Sequence, residues 1–240
     1  MRFLRIERLV LPFYREVMST SEAASTSLTA ATLALRSQLH EAYGADALAP
    51  FDTNAAAMAA DGVGATAPSV GTPAPRFVLP DVHGTSRALD DLLVSGPVVL
   101  VFYRGAWCPY CNLQLRAFQG SLGEIEATGA TLVAVSPQTP DNSLSFAEKE
   151  GLGLTVLSDL HNRVARDYGL VFRQDDAPTA VQKGLGIDLA EVNGDDSYEL
   201  PAAATFVIDA GGVIRFRSVS ADYRWRVGPE EVLAALHGLR

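Results

Sequence analysis

The stretch PVVLVFYRGAWCPYCNLQL, residues 97–115, decides the fold. After Pro97 comes Val98-Val99-Leu100-Val101-Phe102-Tyr103, an unbroken β-branched and aromatic run. A run with no polar alternation predicts a strand covered on both faces, at the centre of a sheet. The pattern then changes. Leu113, Leu115, Phe118, Leu122 and Ile125 recur at helical spacing. Between the two patterns lies RGAWCPYC, residues 104–111, at a strand-to-helix turn. Pro109 suits the first helical turn, where its missing N–H would have had no helical partner.

Outward from this unit, strands and helices alternate. Thr131–Ser136 is a second buried strand, 143–150 a helix, Thr155–Leu157 a short strand and Asn162–Tyr168 a helix. Thr205–Asp209 and Val213–Arg217, joined through Ala210-Gly211-Gly212, read as a β-hairpin, and Pro229 opens a last helix. Phe77–Leu79 and Ser86–Ala88 are short strands around a turn, followed by a helix over Leu89–Leu93. The Asp- and Gly-rich segment 175–200 reads as an inserted loop. This order predicts an α/β fold: a central mixed sheet flanked by helices, with antiparallel strands at the end of the chain.

The first part of the chain is of another kind. Leu28, Ala31, Leu35, Leu39 and Ala42 lie on one stripe, which predicts an amphipathic helix from Leu28 to Tyr43, capped by Ser25 or Thr26. Residues 52–75, rich in Ala, Gly, Thr and Pro, read as a connection. The expected organisation is a helical extension and linker over 1–72 and a main domain over 73–240. The 240 residues correspond to about 1.6 domains of roughly 150 residues, which fits that division.

Composition narrows the function classes. With 28 acidic against 19 basic side chains the net charge is −9, which argues against a nucleic-acid or anionic-membrane binder. No run of about 18 apolar residues is present, so no transmembrane helix is expected. Leu9–Phe13 is too short for a secretory core and follows Arg5, Glu7 and Arg8, so a cytoplasmic location is expected. Met18 opens an alternative start, MSTSEAAS, which raises the hypothesis that residues 1–17 precede the native start. Intact Met1 in the mass spectrum of the native protein would overturn it.

The chemistry rests on two cysteines, Cys108 and Cys111, spaced C-x-x-C. The free N–H groups and the macrodipole at a helix start stabilise an anion, so a thiol there ionises easily. That reasoning makes Cys108 the attacking thiolate, exposed at the helix end, and Cys111 the buried resolving thiol, with a disulfide as product. Arg104 adds positive charge, Pro109 starts the helix, and Trp107 packs beside the site. The bland readings are two inert core cysteines, or half of a zinc site. Zinc needs four ligands, and His40, His83, His161 and His237 stand singly. The carboxylates Asp175, Asp176, Asp195 and Asp196 read as solvated loop charge. No Gly-rich phosphate loop is present, so no nucleotide, flavin or metal cofactor is expected.

VVLVFYRGAWCPYCNLQLRAF resembles the active-site segment of peroxiredoxin-like proteins of the alkyl hydroperoxide reductase / thiol-specific antioxidant family. GTPAPRFVLPDVHG, TLVAVSPQTP, LSDLHNRVARDYGLVF and LPAAATFVIDAGGVIRFRSVSADYRWR are similar to further segments of that family, together spanning about 70–240. The resemblance implies a thioredoxin-like fold, a hydroperoxide substrate and a thiol reductant, either a thioredoxin-like protein or a low-molecular thiol. It is compatible with a homodimer. An ordinary member carries T-x-x-C with the peroxide-attacking cysteine last. Aligned without gaps, Cys111 takes that place and Cys108 replaces the Thr, so the family reading and the helix-end reading name different nucleophiles. The family also places an Arg near the strand of LPAAATFVID, and no Arg lies between Glu199 and Asp209; Arg104 and Arg224 are the candidate substitutes. Thioredoxin-type enzymes have a cis-proline close before that strand, where this chain has Ala203, with Pro201 two residues earlier.

Three functions follow. The first is an antioxidant thiol peroxidase working through a Cys108–Cys111 disulfide. The second is a thiol–disulfide oxidoreductase, since CPYC resembles the glutaredoxin tetrapeptide. The third is a non-enzymatic redox-sensing module.

Overall fold

The computed structural model describes residues 27–239. Ser25, Thr26 and residues 1–17 lie outside them. Helix α1 (Leu28–Tyr43) opens at Ser27, whose hydroxyl accepts from the Ala30 N–H. Helix α2 (Ala45–Ala60) follows directly, with Pro50 inside it and Asn54, Ala55 and Met58 buried. Residues 52–60 are therefore packed helix, not connection; the Ala-rich composition that suggested a linker is also a strong helix former.

The strands β1 (Val78–Pro80) and β2 (Ser86–Ala88) pair antiparallel and lead into α3 (Leu89–Val94). The central strand β3 (Val98–Phe102) is buried at every position. It is followed by α4 (Pro109–Gly120), α5 (Leu122–Ala127), β4 (Thr131–Ser136), α6 (Pro140–Glu150) and β5 (Thr155–Ser158). A short 3-10 turn and α7 (Arg163–Asp167) come next. The chain closes with β8 (Ala203–Ile208), β9 (Ile214–Ser220) and α10 (Pro229–His237). The main sheet has the order β5-β4-β3-β8-β9. β3, β4 and β5 are parallel, β8 pairs antiparallel with β3, and β9 pairs antiparallel with β8, as the hairpin predicts.

The alternation of side chains along β3 divides the core in two. Val98, Leu100 and Phe102 face a layer with Leu89, Tyr168 and Phe206. Val99, Val101 and Tyr103 face the layer that holds both cysteines, Leu115 and Phe118 of α4, Leu35 of α1 and Leu236 of α10. Helix α1 packs directly on α4.

The segment 175–200 is not a loop. It contains α8 (Asp176–Gly184) and α9 (Leu189–Asn193). A ribbon of β6 (Val171–Arg173) and β7 (Glu199–Pro201) closes its base. Asp188 caps α9 by accepting from the Ala190 N–H. Of the carboxylates read as solvated loop charge, Asp175 accepts from Asn54 of α2 and Asp195 pairs with His161. Phe172, Leu189 and Leu200 form a small core with Met58, against which Trp107 packs. None of the described peptide bonds is cis, Leu200–Pro201 included.

Candidate active site

The end of β3 delivers Tyr103 and Arg104 into a loop whose geometry depends on Gly105. Its φ is +147°, and a Cβ there would meet the Trp107 indole and the Gln138 carboxamide. The same Gln138 accepts from the Ala106 N–H, and Asn112 donates to the Ala106 carbonyl at 2.8 Å. The loop is thus held from β4's end and from α4 at once. Cys108 is the N-cap of α4, with extended backbone, and its carbonyl accepts the first helical bond from the Asn112 N–H at 3.1 Å. Pro109 takes the first helical position. Cys111 follows within the first turn.

Both cysteines are free thiols and both have 0% exposure. The expected division into one exposed and one buried sulfur does not hold. α1 packs on α4, and the segment after β9 brings Tyr223 onto Tyr110 and Arg226 onto Cys111, over the helix end that would be open in a bare β3–α4 unit.

Each sulfur has its own guanidinium. Arg104 Nη2 donates to Cys108 Sγ at 3.1 Å, and Arg226 Nη2 donates to Cys111 Sγ at 3.4 Å. Both arginines are nearly inaccessible, at 3% and 8%. Arg104 lies 4.0 Å from the ring centroid of Tyr223 and 5.0 Å from that of Trp107. Tyr223 meets Tyr110 edge-on at 5.6 Å. Arg226 is fixed by its own Nε bond to the Tyr223 carbonyl at 2.7 Å and by Nη1 to Gln114 Oε1 at 3.2 Å. Gln114 in turn donates to the Val227 carbonyl at 3.1 Å and to Thr205 Oγ1 at 3.4 Å. Of the residues singled out in the sequence, Cys108, Cys111, Arg104, Trp107 and Pro109 all meet here. Arg224 does not. It is engaged by Asp222 and Asp52, and the arginine on a sulfur is Arg226, two residues later. No local pattern marks Arg226, Gln114 or Tyr223; the only trace is their place in a segment similar to the family.

The electrostatics separate the two thiols. Burial pushes both up. At Cys108 this is outweighed by a hydrogen bond from the Cys111 thiol and by the charges of Arg104 and Arg226, which hold it well below the ordinary thiol range. At Cys111 burial and the proton it gives to Cys108 keep it well above that range. Arg226 thus donates to Cys111 and Arg104 to Cys108, and of the two sulfurs Cys108 is the one that favours the thiolate. Burial also pushes the Tyr223 hydroxyl up to about 12, so the ring stays neutral beside Arg104. Among the described residues no group of three or more His, Cys, Asp or Glu side chains is placed to hold a metal ion.

The mixed sheet β5-β4-β3-β8-β9 flanked by helices, with the dithiol at the start of the helix after β3, is a thioredoxin-like fold. Residues 70–217 match the sequence model of the AhpC/TSA family, and the chain belongs to that family. It is 30% identical over 164 residues to a Mycobacterium tuberculosis protein named as a peroxiredoxin, covering 68% of this chain and 93% of the relative. To the chloroplastic peroxiredoxin Q of Gentiana triflora it is 29% identical over 147 residues, 61% of this chain and 57% of that one. The crystal structure of peroxidoxin BcpB from Mycobacterium tuberculosis superposes with a TM-score of 0.56 at 27% identity, covering 71% of this chain and 97% of that chain. The chain spans only about three fifths of the length of several curated relatives it matches, 57% and 62% in two cases.

Proposed function

We propose that the protein is an antioxidant thiol peroxidase that reduces hydroperoxides through Cys108 and Cys111. Family membership supports the reaction class, and one observation carries the choice within it: both sulfurs are fully buried beside two cations. A peroxide of a few atoms needs only a small opening to reach such a site, whereas a folded protein disulfide needs a sulfur carried to the surface before the first step. That weighs against the thiol–disulfide oxidoreductase, and the polarised thiol pair weighs against a merely sensing module.

The Cys108 thiolate attacks one peroxide oxygen. An S–O bond forms, the O–O bond breaks, and the departing oxygen takes a proton to leave as water or an alcohol. Arg104 stabilises the thiolate before attack and offers its N–H groups to the oxygen on which charge develops. The Cys111 thiol then attacks the Cys108 sulfenic acid. An S–S bond forms, the S–O bond breaks, and water leaves. An external thiol reductant, either a low-molecular thiol or, once the disulfide is carried to the surface, a thioredoxin-like protein, returns both cysteines to thiols with release of its own disulfide. Pro109 starts the helix that holds both sulfurs, and Trp107 covers the loop. The cycle suits the reducing cytoplasm. Among the described residues no helix is long and apolar enough to cross a membrane.

The test is direct. The reduced protein is mixed with one equivalent of hydrogen peroxide, quenched rapidly and mapped by mass spectrometry. Loss of two hydrogens within seconds, located to a Cys108–Cys111 disulfide, is the expected result. Oxidation no faster than that of a free cysteine would overturn the peroxidase reading, and reduction of a disulfide substrate would then be assayed.

A further inference from the structure

Three of the residues that complete the thiol site from outside the β3–α4 unit share a feature. Tyr223, Arg226 and Val227 all lie beyond the matched family region of 70–217, and so does the helix pair α1–α2. These two outlying parts are tied together by charge. Arg224 Nη1 bonds Asp52 of α2, Arg224 Nη2 bonds Asp222 at 2.7 Å, and Arg36 of α1 approaches Asp52 at 3.9 Å. Asp222 also accepts from the Arg224 backbone N–H at 3.0 Å, so the loop is folded around Arg224. Asp52 is the carboxylate in this cluster that belongs to another part of the chain. Arg224 sits immediately between Tyr223, which stacks on Arg104, and the Trp225-Arg226 pair that reaches Cys111.

We infer that Asp52 is a positioning residue for the thiol site: through Arg224 the N-terminal helix pair holds segment 222–227 in place, and with it the Tyr223 ring and the Arg226 guanidinium. The inference rests on Cys108 and Cys111 being the working thiols. It assigns the helix pair a task at the site, not only a share in the core. Without Asp52, Arg224 keeps its bonds within the loop but loses its anchor on α2. The field of Arg226 at the sulfurs and the stack of Tyr223 on Arg104 then weaken together.

The experiment compares wild type with Asp52→Asn, Asp52→Glu and Arg224→Gln in the full-length protein. The ultraviolet absorbance of the thiolate in the reduced protein is followed across pH, a readout that needs no reagent to reach the buried sulfurs. The groups that set this profile are the two thiols themselves, Arg104, Arg226, Tyr110 and Tyr223. Asp52→Asn is expected to lower the thiolate-to-thiol ratio at a given pH about threefold to tenfold, moving the profile to higher pH, since a nearby cation favours the thiolate. Asp52→Glu restores most of the ratio. Arg224→Gln matches Asp52→Asn, and the double variant moves the profile no further than either alone. Arg76→Gln, which breaks an exposed pair with Asp90 on the other side of the sheet, serves as the stability control and leaves the profile unmoved. An unchanged profile in folded Asp52→Asn, or additive effects of the two variants, would overturn the inference. Should Asp52→Asn not fold, the Arg224→Gln profile decides alone. The titration needs no peroxide, so a wild type inert to peroxide sinks the peroxidase reading while leaving this result readable.

Discussion

The two sulfurs sit three residues apart on one helix turn, yet they are served in opposite ways. Cys108 is the N-cap, and its guanidinium, Arg104, comes from the same local loop. Cys111 lies inside the turn, and its guanidinium, Arg226, comes from a segment that follows the last strand of the sheet. The local half couples a helix end to a nearby cation, which is how a thiol becomes a thiolate. The distant half keeps a proton on its sulfur, which burial holds up. The difference teaches that polarity within the pair does not come from the cations alone, since each sulfur has one. It lies also in placement: Cys108 caps the helix and receives its guanidinium at 3.1 Å, against 3.4 Å at Cys111 inside the turn.

The strongest way to break this comparison is to remove each sulfur in turn. Cys108→Ser is expected to slow the first oxidation by peroxide on the order of a thousandfold or more. Cys111→Ser keeps that step and accumulates a sulfenic acid, seen as one added oxygen in the mass spectrum. The reverse pattern would exchange the two roles and restore the ungapped family reading with Cys111 as nucleophile.

Removing the cations is the next step down. Arg104→Gln is expected to reduce the peroxide rate at neutral pH about tenfold to a hundredfold, and Arg226→Gln about threefold to tenfold, because only Arg104 bonds the thiolate directly. Stopped-flow oxidation at fixed pH distinguishes them, and equal losses would erase the asymmetry.

The pH dependence of stability sharpens the comparison further. Cys108 in the folded state lies below its unfolded value, so its contribution is full above about pH 8.5 and is lost as pH falls through the depressed value. Cys111 lies above, so its contribution is present below about pH 8.5 and is lost as pH rises toward the elevated value. Denaturant unfolding of the reduced protein, compared with the double Ser variant, is expected to give a difference that peaks between the two. A monotonic difference would show that the thiols are not split. The smallest effect belongs to the loop: Gly105→Ala costs about 1–3 kcal/mol, through backbone strain and the Trp107 indole, measured as a lowered unfolding midpoint.

Much of this was legible along the chain where the cause is local. The β-branched run of β3, the switch to helical spacing in α4, Pro109 at its start and the Asp209–Val213 turn depend on neighbours within a few residues. β3 and the start of α4 agree with the reading to within a residue, while the helical run to Ile125 is divided at Ser121 into α4 and α5, and β9 continues past Arg217 to Ser220. Arg104, four residues before Cys108, belongs to the same class. Reading went astray where composition imitates a loop. The Ala-rich 52–60 is helix because α2 buries Asn54, Ala55 and Met58, and 175–200 folds because Phe172, Leu189 and Leu200 find Met58.

The sequence by itself therefore determined the strand–turn–helix that carries Cys108 and Cys111, and the cation nearest the first of them, because hydrogen bonding and side-chain periodicity over one turn suffice to specify both. Tertiary structure alone decided that both sulfurs are buried, that Arg226 rather than Arg224 reaches Cys111, and that α2 braces the segment carrying it. Those outcomes depend on contacts between residues more than a hundred positions apart, whose partners no local pattern names until the sheet brings its ends together.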